Sequence, residues 1–111
     1  MLLKGVFGTE SAEKVLFYIQ NYGSGHPRGI ATTFEMPVSQ VQRQLERFER
    51  EGLLVSRLVG RTREYRFNPR YLFLDEISAL LEKALVSLPE SFQEKYFRQR
   101  MRPRRKGKAL P

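Results

Sequence analysis

Along the chain the apolar positions fall into helical stripes, broken once by a strand-like block. Ala12, Val15, Leu16, Ile19 and Tyr22 recur at helical spacing, which predicts a helix over about residues 10–22. Thr9 precedes it as an N-cap, Glu10 and Glu13 occupy a first turn where acids suit the helix dipole, and Gly23 closes it. Phe17 and Tyr18 widen its apolar face, so this helix reads as core scaffold, behind a short apolar lead-in at 2–8. Gly23-Ser24-Gly25-His26-Pro27 is a loop by composition, with His26 a surface residue in it. Ile30, Ala31 and Phe34 give one apolar side to a short helix at 28–34. Pro37 breaks that helix and starts the next, because proline disfavours helix before it and suits a first turn. The second helix runs over about 37–51, with Val41, Leu45, Phe48 and Val38 inward and Gly52 ending it.

The pattern then changes. Leu53 to Val59 is apolar, β-prone and of strand length. Gly60-Arg61-Thr62 makes a turn, and Arg63-Glu64-Tyr65-Arg66-Phe67 alternates, with Tyr65 and Phe67 inward. Asn68-Pro69 ends this hairpin. Leu74, Ile77, Leu81, Ala84, Leu85 and Leu88 then form one continuous stripe, broadened by Leu80, on a helix over 71–88. Ser87-Leu88-Pro89-Glu90 interrupts it and starts a further amphipathic segment, through Phe92, Tyr96, Phe97 and Met101, to about Arg100. The expected fold is mainly α with a small β-hairpin. It divides into residues 1–70, C-terminal helices at 71–101, and a tail at 102–111. The stripe at 71–88 exceeds what one small core needs. Either it packs back onto the first helix, or Leu74, Ile77, Leu81, Leu85, Leu88 and Phe92 pair with a second copy in a two-fold dimer.

Charge changes the picture in two places. The chain of 111 residues carries a net +8, but Arg98, Arg100, Arg102, Arg104, Arg105, Lys106 and Lys108 lie in a terminal stretch with no acid, and without them the rest is near neutral. That basic end has no apolar period and two prolines after Met101, so disorder is expected in it. The second place is the outward side of the helix at 37–51. Its first two turns present Ser39, Gln40, Gln42, Arg43 and Gln44, with no acid before Glu46. Such side chains match base edges: Gln pairs with adenine, Arg with guanine. Glu46 to Glu51 mixes charges as an ordinary solvated surface does. The hairpin adds Arg57, Arg61, Arg63 and Arg66 against a single acid, Glu64.

Other chemistry is poorly supplied. There is no Cys and one His, which excludes disulfides, thiolate metal sites and a cysteine nucleophile. No Gly-rich phosphate loop or paired carboxylate stands out, so no enzyme, cofactor or metal site is expected. No apolar run reaches the roughly 18 residues of a membrane span. The start of the chain turns polar too early for a signal peptide, so a cytoplasmic setting is expected, at a bacterial or archaeal nucleoid.

The break at Met36-Pro37, the run VSQVQRQLERFEREGLL at 38–54 and the hairpin ending YRFNP at 65–69 resemble the winged helix-turn-helix of bacterial transcription regulators, nearest to ArsR-type and MarR-type domains. The likeness covers about residues 9–88. It implies a three-helix core plus wing, with a C-terminal helical extension, that binds double-stranded DNA as a homodimer reading an inverted repeat. Ser39, Gln40, Gln42 and Arg43 would then read bases. Arg28, Arg47, Arg57, Arg61, Thr62 and Arg63 would meet the backbone or form the wing. ArsR-type metal sensors use Cys or His ligands that this chain lacks, and the basic tail lies outside the family pattern. A small-molecule effector would lie between the first helix and the helix at 71–88, where nothing polar marks one. The competing reading is a winged-helix adaptor that docks another protein through 71–101 without specific DNA binding.

Overall fold

A computed structural model describes residues 1–97. The helical continuation expected to Arg100, Met101 and the basic tail at 102–111 lie outside the described residues. The elements in order are α1 (Lys4–Phe7), α2 (Glu10–Tyr22), α3 (Pro27–Phe34), α4 (Val38–Arg50), β1 (Leu54–Val59), β2 (Thr62–Phe67), α5 (Leu74–Ser87) and α6 (Glu90–Tyr96).

The caps explain the boundaries. The Thr9 side chain accepts from the Ala12 amide and opens α2, while Gly23 closes it at φ 89°. Pro37 caps α4 in an extended conformation, and Gly52 at φ 89° turns the chain out of it. The lead-in folds further than its sequence suggests. It forms the single turn α1, and Leu3 donates its amide to Glu13 Oε2 at 2.6 Å. Glu13 is therefore not a solvated first-turn acid; it is fully buried, with the Met1 ammonium 3.5 Å from Oε1 to offset its charge.

One core joins the helices. Val15, Leu16 and Ile19 of α2 meet Ile30 and Phe34 of α3, and Val41, Leu45 and Phe48 of α4. Leu81, Leu85 and Leu88 belong to the same core, at 0%, 0% and 5% exposure. The expected contact stripe for a second copy is thus corrected: α5 packs back onto α2, so those three leucines have no surface to offer. Of that set Leu74 and Ile77 are half-buried, and only Phe92 is exposed. Polar rungs line the α2–α5 seam, where Ser78 donates to Gln20 and Gln20 to Glu82. Past Pro89, α6 turns back across α2 and α3. Phe97 is fully buried, in edge contact with Phe17 and Phe34, and the Tyr22 hydroxyl donates to the Tyr96 carbonyl at 2.6 Å.

β1 and β2 pair antiparallel, with Leu54 opposite Phe67, Ser56 opposite Tyr65 and Val59 opposite Thr62. The turn is therefore two residues, Gly60-Arg61, and Thr62 belongs to the strand. Gly60 supplies the positive φ of 65° such a tight hairpin needs. Gly25 exchanges both backbone hydrogen bonds with Tyr65 and so braces the hairpin from the α2–α3 loop. Only glycine fits there, because a Cβ would come within 2.8 Å of the Tyr18 ring.

Candidate nucleic-acid interface

The helix period sorts the side chains of α4. Val41, Leu45 and Phe48 point inward, and Gln44, three residues after Val41, falls on the same stripe. Gln44 is buried at 8% exposure and does not belong to the outer face that the charge pattern assigns it. Val38 is the converse. It sits in the first turn, beyond the core, and is 40% exposed. Ser39, Gln40 and Arg43 are exposed as expected, and Gln42 is half-buried, donating to Glu46 at 2.9 Å.

Arg47 needs a larger correction. The resemblance puts it at the DNA backbone, but its position turns it toward the lead-in. Its Nη2 donates to the Phe7 carbonyl at 3.4 Å, and its guanidinium lies 4.6 Å over the Phe48 ring. It ties α4 to the end of α1 and does not line the cleft at the wing.

A half-open cleft of about 420 Å³ separates the start of α3, the first turns of α4 and the wing. His26, Pro27, Arg28, Val38, Gln42, Arg61, Thr62 and Arg63 line it. Segments far apart in sequence thus bring three arginines to one concave surface, with no acid among the lining residues. A smaller cleft of about 320 Å³ adjoins it behind the wing, bordered by Tyr18, Ser24, Gly25, His26, Val59, Thr62 and Glu64. Arg57 stands apart, paired across the strands with Glu64 at 3.2 Å. That pair is exposed, so it restrains the arginine only weakly.

His26 has a defined role that the loop reading missed. It is the N-cap of α3, its Nδ1 accepting from the Gly29 amide at 3.2 Å. The neutral ring must then carry its proton on Nε2, which makes that nitrogen a donor. The sequence held the signal: an acceptor side chain directly before Pro27, in the extended conformation that proline imposes on its predecessor.

Hydrogen bonds seat the wing on α4. Ser56 donates to Glu49 at 2.6 Å, and Arg63 donates to Ser56 at 3.0 Å. Tyr65, almost fully buried, turns its hydroxyl to the Gln42 side chain. Burial raises its pKa above the usual tyrosine value, Glu49 and Glu46 raise it further, and Arg63 and the Gln42 hydrogen bond act against them. Burial also raises the Tyr18 hydroxyl, against a hydrogen bond with Thr33. At the base of the wing Asn68 donates to the Gly52 carbonyl and pins the strand exit to the end of α4. The outer wing is not purely basic, since Leu58 and Val59 are 63% and 50% exposed.

No family model matches the chain, and no curated protein matches its sequence. Solved structures do match. The chain is similar to the AntR antimony-specific transcriptional repressor, at 21% identity and TM-score 0.62, over 83% of this chain and 78% of that one. It is similar to the YusO protein of Bacillus subtilis, at 20% identity and TM-score 0.55, over 78% and 67%. A third match is a doubly substituted mutant of Lactococcus lactis ZitR in its apo form, at 13% identity and TM-score 0.54, over 84% and 79%. The fold is the winged helix that the sequence resemblance implies. Among the described residues no group of three or more His, Cys, Asp or Glu is placed to hold a metal ion, and no helix is long and apolar enough to cross a membrane.

Proposed function

We propose that this chain is a DNA-binding transcriptional regulator of the cytoplasm that reads sequence through α4 and grips the backbone through its wing. The observation that carries this reading is the joining of two surfaces. The exposed Ser39, Gln40 and Arg43 face of α4 runs into an acid-free cleft lined by Arg28, Arg61 and Arg63. A helix fits the major groove, where Arg and Gln discriminate base pairs by paired hydrogen bonds. The cleft arginines then supply the salt-dependent phosphate contacts that hold the helix in register. Gln42 completes the base-reading set once DNA draws it from Glu46, and Arg57 joins the backbone contacts from the outer strand. Support for regulation comes from AntR, a transcriptional repressor of similar fold.

The chain acts as a homodimer on an inverted repeat in this reading. Burial of Leu81, Leu85 and Leu88 moves the contact to apolar side chains that remain accessible at the C-terminal end: Leu72, Phe73, Leu80, Val86 and Phe92. Two copies would place their α4 helices in successive major grooves about 34–36 Å apart. No cofactor enters, and a small-molecule effector is left unassigned.

The test is retention of sheared genomic DNA by the purified chain at near-physiological salt, with sequencing of what is kept. Enrichment of a short inverted repeat supports both parts of the reading. Enrichment of a single half-site retains sequence reading and removes the dimer. Retention without sequence preference removes base reading by α4, and leaves the exposed apolar residues of α5 and α6 as the surface of a protein-docking adaptor.

A further inference from the structure

Glu49 is exposed on α4, in the stretch where mixed charge suggests plain solvation. Its carboxylate nevertheless sits at the start of a directed chain of hydrogen bonds into the wing. Ser56 has one hydroxyl proton, and the 2.6 Å contact gives that proton to Glu49 Oε2. The lone pairs of Ser56 Oγ then face Arg63, whose Nη1 donates to that oxygen at 3.0 Å. Both contacts involve an ionised group, which strengthens them relative to neutral pairs. Strand register makes the geometry feasible: Ser56 lies opposite Tyr65 and Leu58 opposite Arg63, so Ser56 and Arg63 are diagonal neighbours on one side of the hairpin.

We propose that Glu49, acting through Ser56, is a positioning residue that holds the Arg63 guanidinium on the α4 side of the wing, where it meets a DNA phosphate. Glu49 does not touch DNA. An arginine side chain otherwise samples many rotamers, and ordering it before contact removes part of the entropy lost on binding. The proposal rests on the DNA-binding reading and adds to it a residue whose own charge is repelled by DNA. That repulsion makes the test sharp, because charge and positioning predict opposite signs.

The experiment compares Glu49→Gln, Glu49→Ala and Ser56→Ala, each alone and with Arg63→Ala, by duplex titration at several salt concentrations. Gln and Ala remove the same negative charge, but only Gln keeps an acceptor for the Ser56 hydroxyl. Glu49→Gln is expected to bind at least as tightly as the unaltered chain. Glu49→Ala should bind about fivefold more weakly than Glu49→Gln, and Ser56→Ala about fivefold more weakly than the unaltered chain, each pair being matched in charge, on specific and random duplexes alike. Both gaps should vanish in the Arg63→Ala background. Equal binding by the Gln and Ala variants, or a gap that persists without Arg63, overturns the positioning role while leaving DNA binding intact. Failure of the unaltered chain to bind any duplex removes the DNA reading and this role together. Unfolding temperatures measured in parallel should agree among the variants, which separates positioning from loss of fold.

Discussion

The wing face and the α6 seam hold chain segments in place by opposite means. At the seam, Phe97 is fully buried against Phe17 and Phe34, Tyr96 lies 5.0 Å from Phe34 between ring centroids, and the hydrogen bond from Tyr22 runs to a backbone carbonyl. At the wing, Arg61, Thr62 and Arg63 are exposed, and seating comes from Ser56–Glu49, Tyr65–Gln42 and Asn68–Gly52 contacts. Burial of rings is non-directional and scales with area, so it fixes a segment strongly but hides it. Hydrogen bonds at a surface contribute less, yet they leave charged ends facing outward in a set direction. The proposed contact with a phosphate chain calls for the second kind of support.

Perturbing each region should therefore damage a different quantity. Phe97→Ala should have the largest effect, lowering stability by about 3–5 kcal/mol, because it removes a buried ring and leaves a cavity among aromatic neighbours. Chemical denaturation would show it as a lower midpoint, with duplex affinity per folded molecule unchanged. A Phe97→Ala chain as stable as the unaltered one would show that α6 is not held by the seam. Arg43→Ala should do the reverse. It should lose on the order of 1–3 kcal/mol on the preferred duplex and relax the preference there, while its unfolding midpoint stays put. Equal loss on every duplex would reassign Arg43 from bases to phosphate.

Tyr65 sits where the two kinds of support meet, buried as a ring but hydrogen-bonded at its hydroxyl. Tyr65→Phe should lower stability by about 1 kcal/mol at neutral pH, the typical contribution of one hydrogen bond. It should also alter the alkaline limb of stability. A tyrosine whose folded pKa is raised stays protonated after the unfolded chain has begun to ionise near pH 10. The unfolded state then binds fewer protons, so stability is complete below pH 10 and falls as pH rises through the folded value. Denaturation across about pH 8 to 11 should show that fall, and Tyr65→Phe should make it shallower. An unchanged slope would leave Tyr18, whose hydroxyl is raised in the same direction, as the group responsible.

The same contrast explains what is legible in the sequence. Apolar periodicity locates α2, α4 and the strands closely, since a core admits one phase of each helix. It also holds the correction for Gln44, because a residue three after Val41 shares its side whatever its polarity. Longer-range choices are not legible. Whether Leu81 and Leu85 serve this chain or a second copy depends on where α5 lands, and the stripe looks the same in both cases. Arg47 leaves the expected backbone set because α1, a single turn with no strong periodic signal, ends at the carbonyl it reaches. His26 and Glu49 look bland in the sequence because their partners are a backbone amide and a serine, neither of which marks a sequence chemically.

The smallest change tests the joint between α3 and α4, which sets the angle of α4. Glu35 closes α3 at φ 56° and ψ 51°, and among the described residues it is the only non-glycine at positive φ. Its amide donates to the Ala31 and Thr32 carbonyls, so the left-handed conformation satisfies the helix end. A Cβ in that conformation costs about 1–2 kcal/mol. Glycine would remove the strain but adds roughly 0.5–1 kcal/mol of backbone entropy to the loss on folding. The side chain is exposed, so Glu35→Gly should stabilise the chain by about 0.5–1 kcal/mol net. Removing an exposed carboxylate should not weaken DNA binding, and the wing contacts stay untouched. A destabilised Glu35→Gly chain would mean that the glutamate side chain stabilises the turn by more than the strain relieved. Normal stability with relaxed DNA preference would instead show that rigidity at this turn, and not only the side chains of α4, determines how the helix presents itself to the groove.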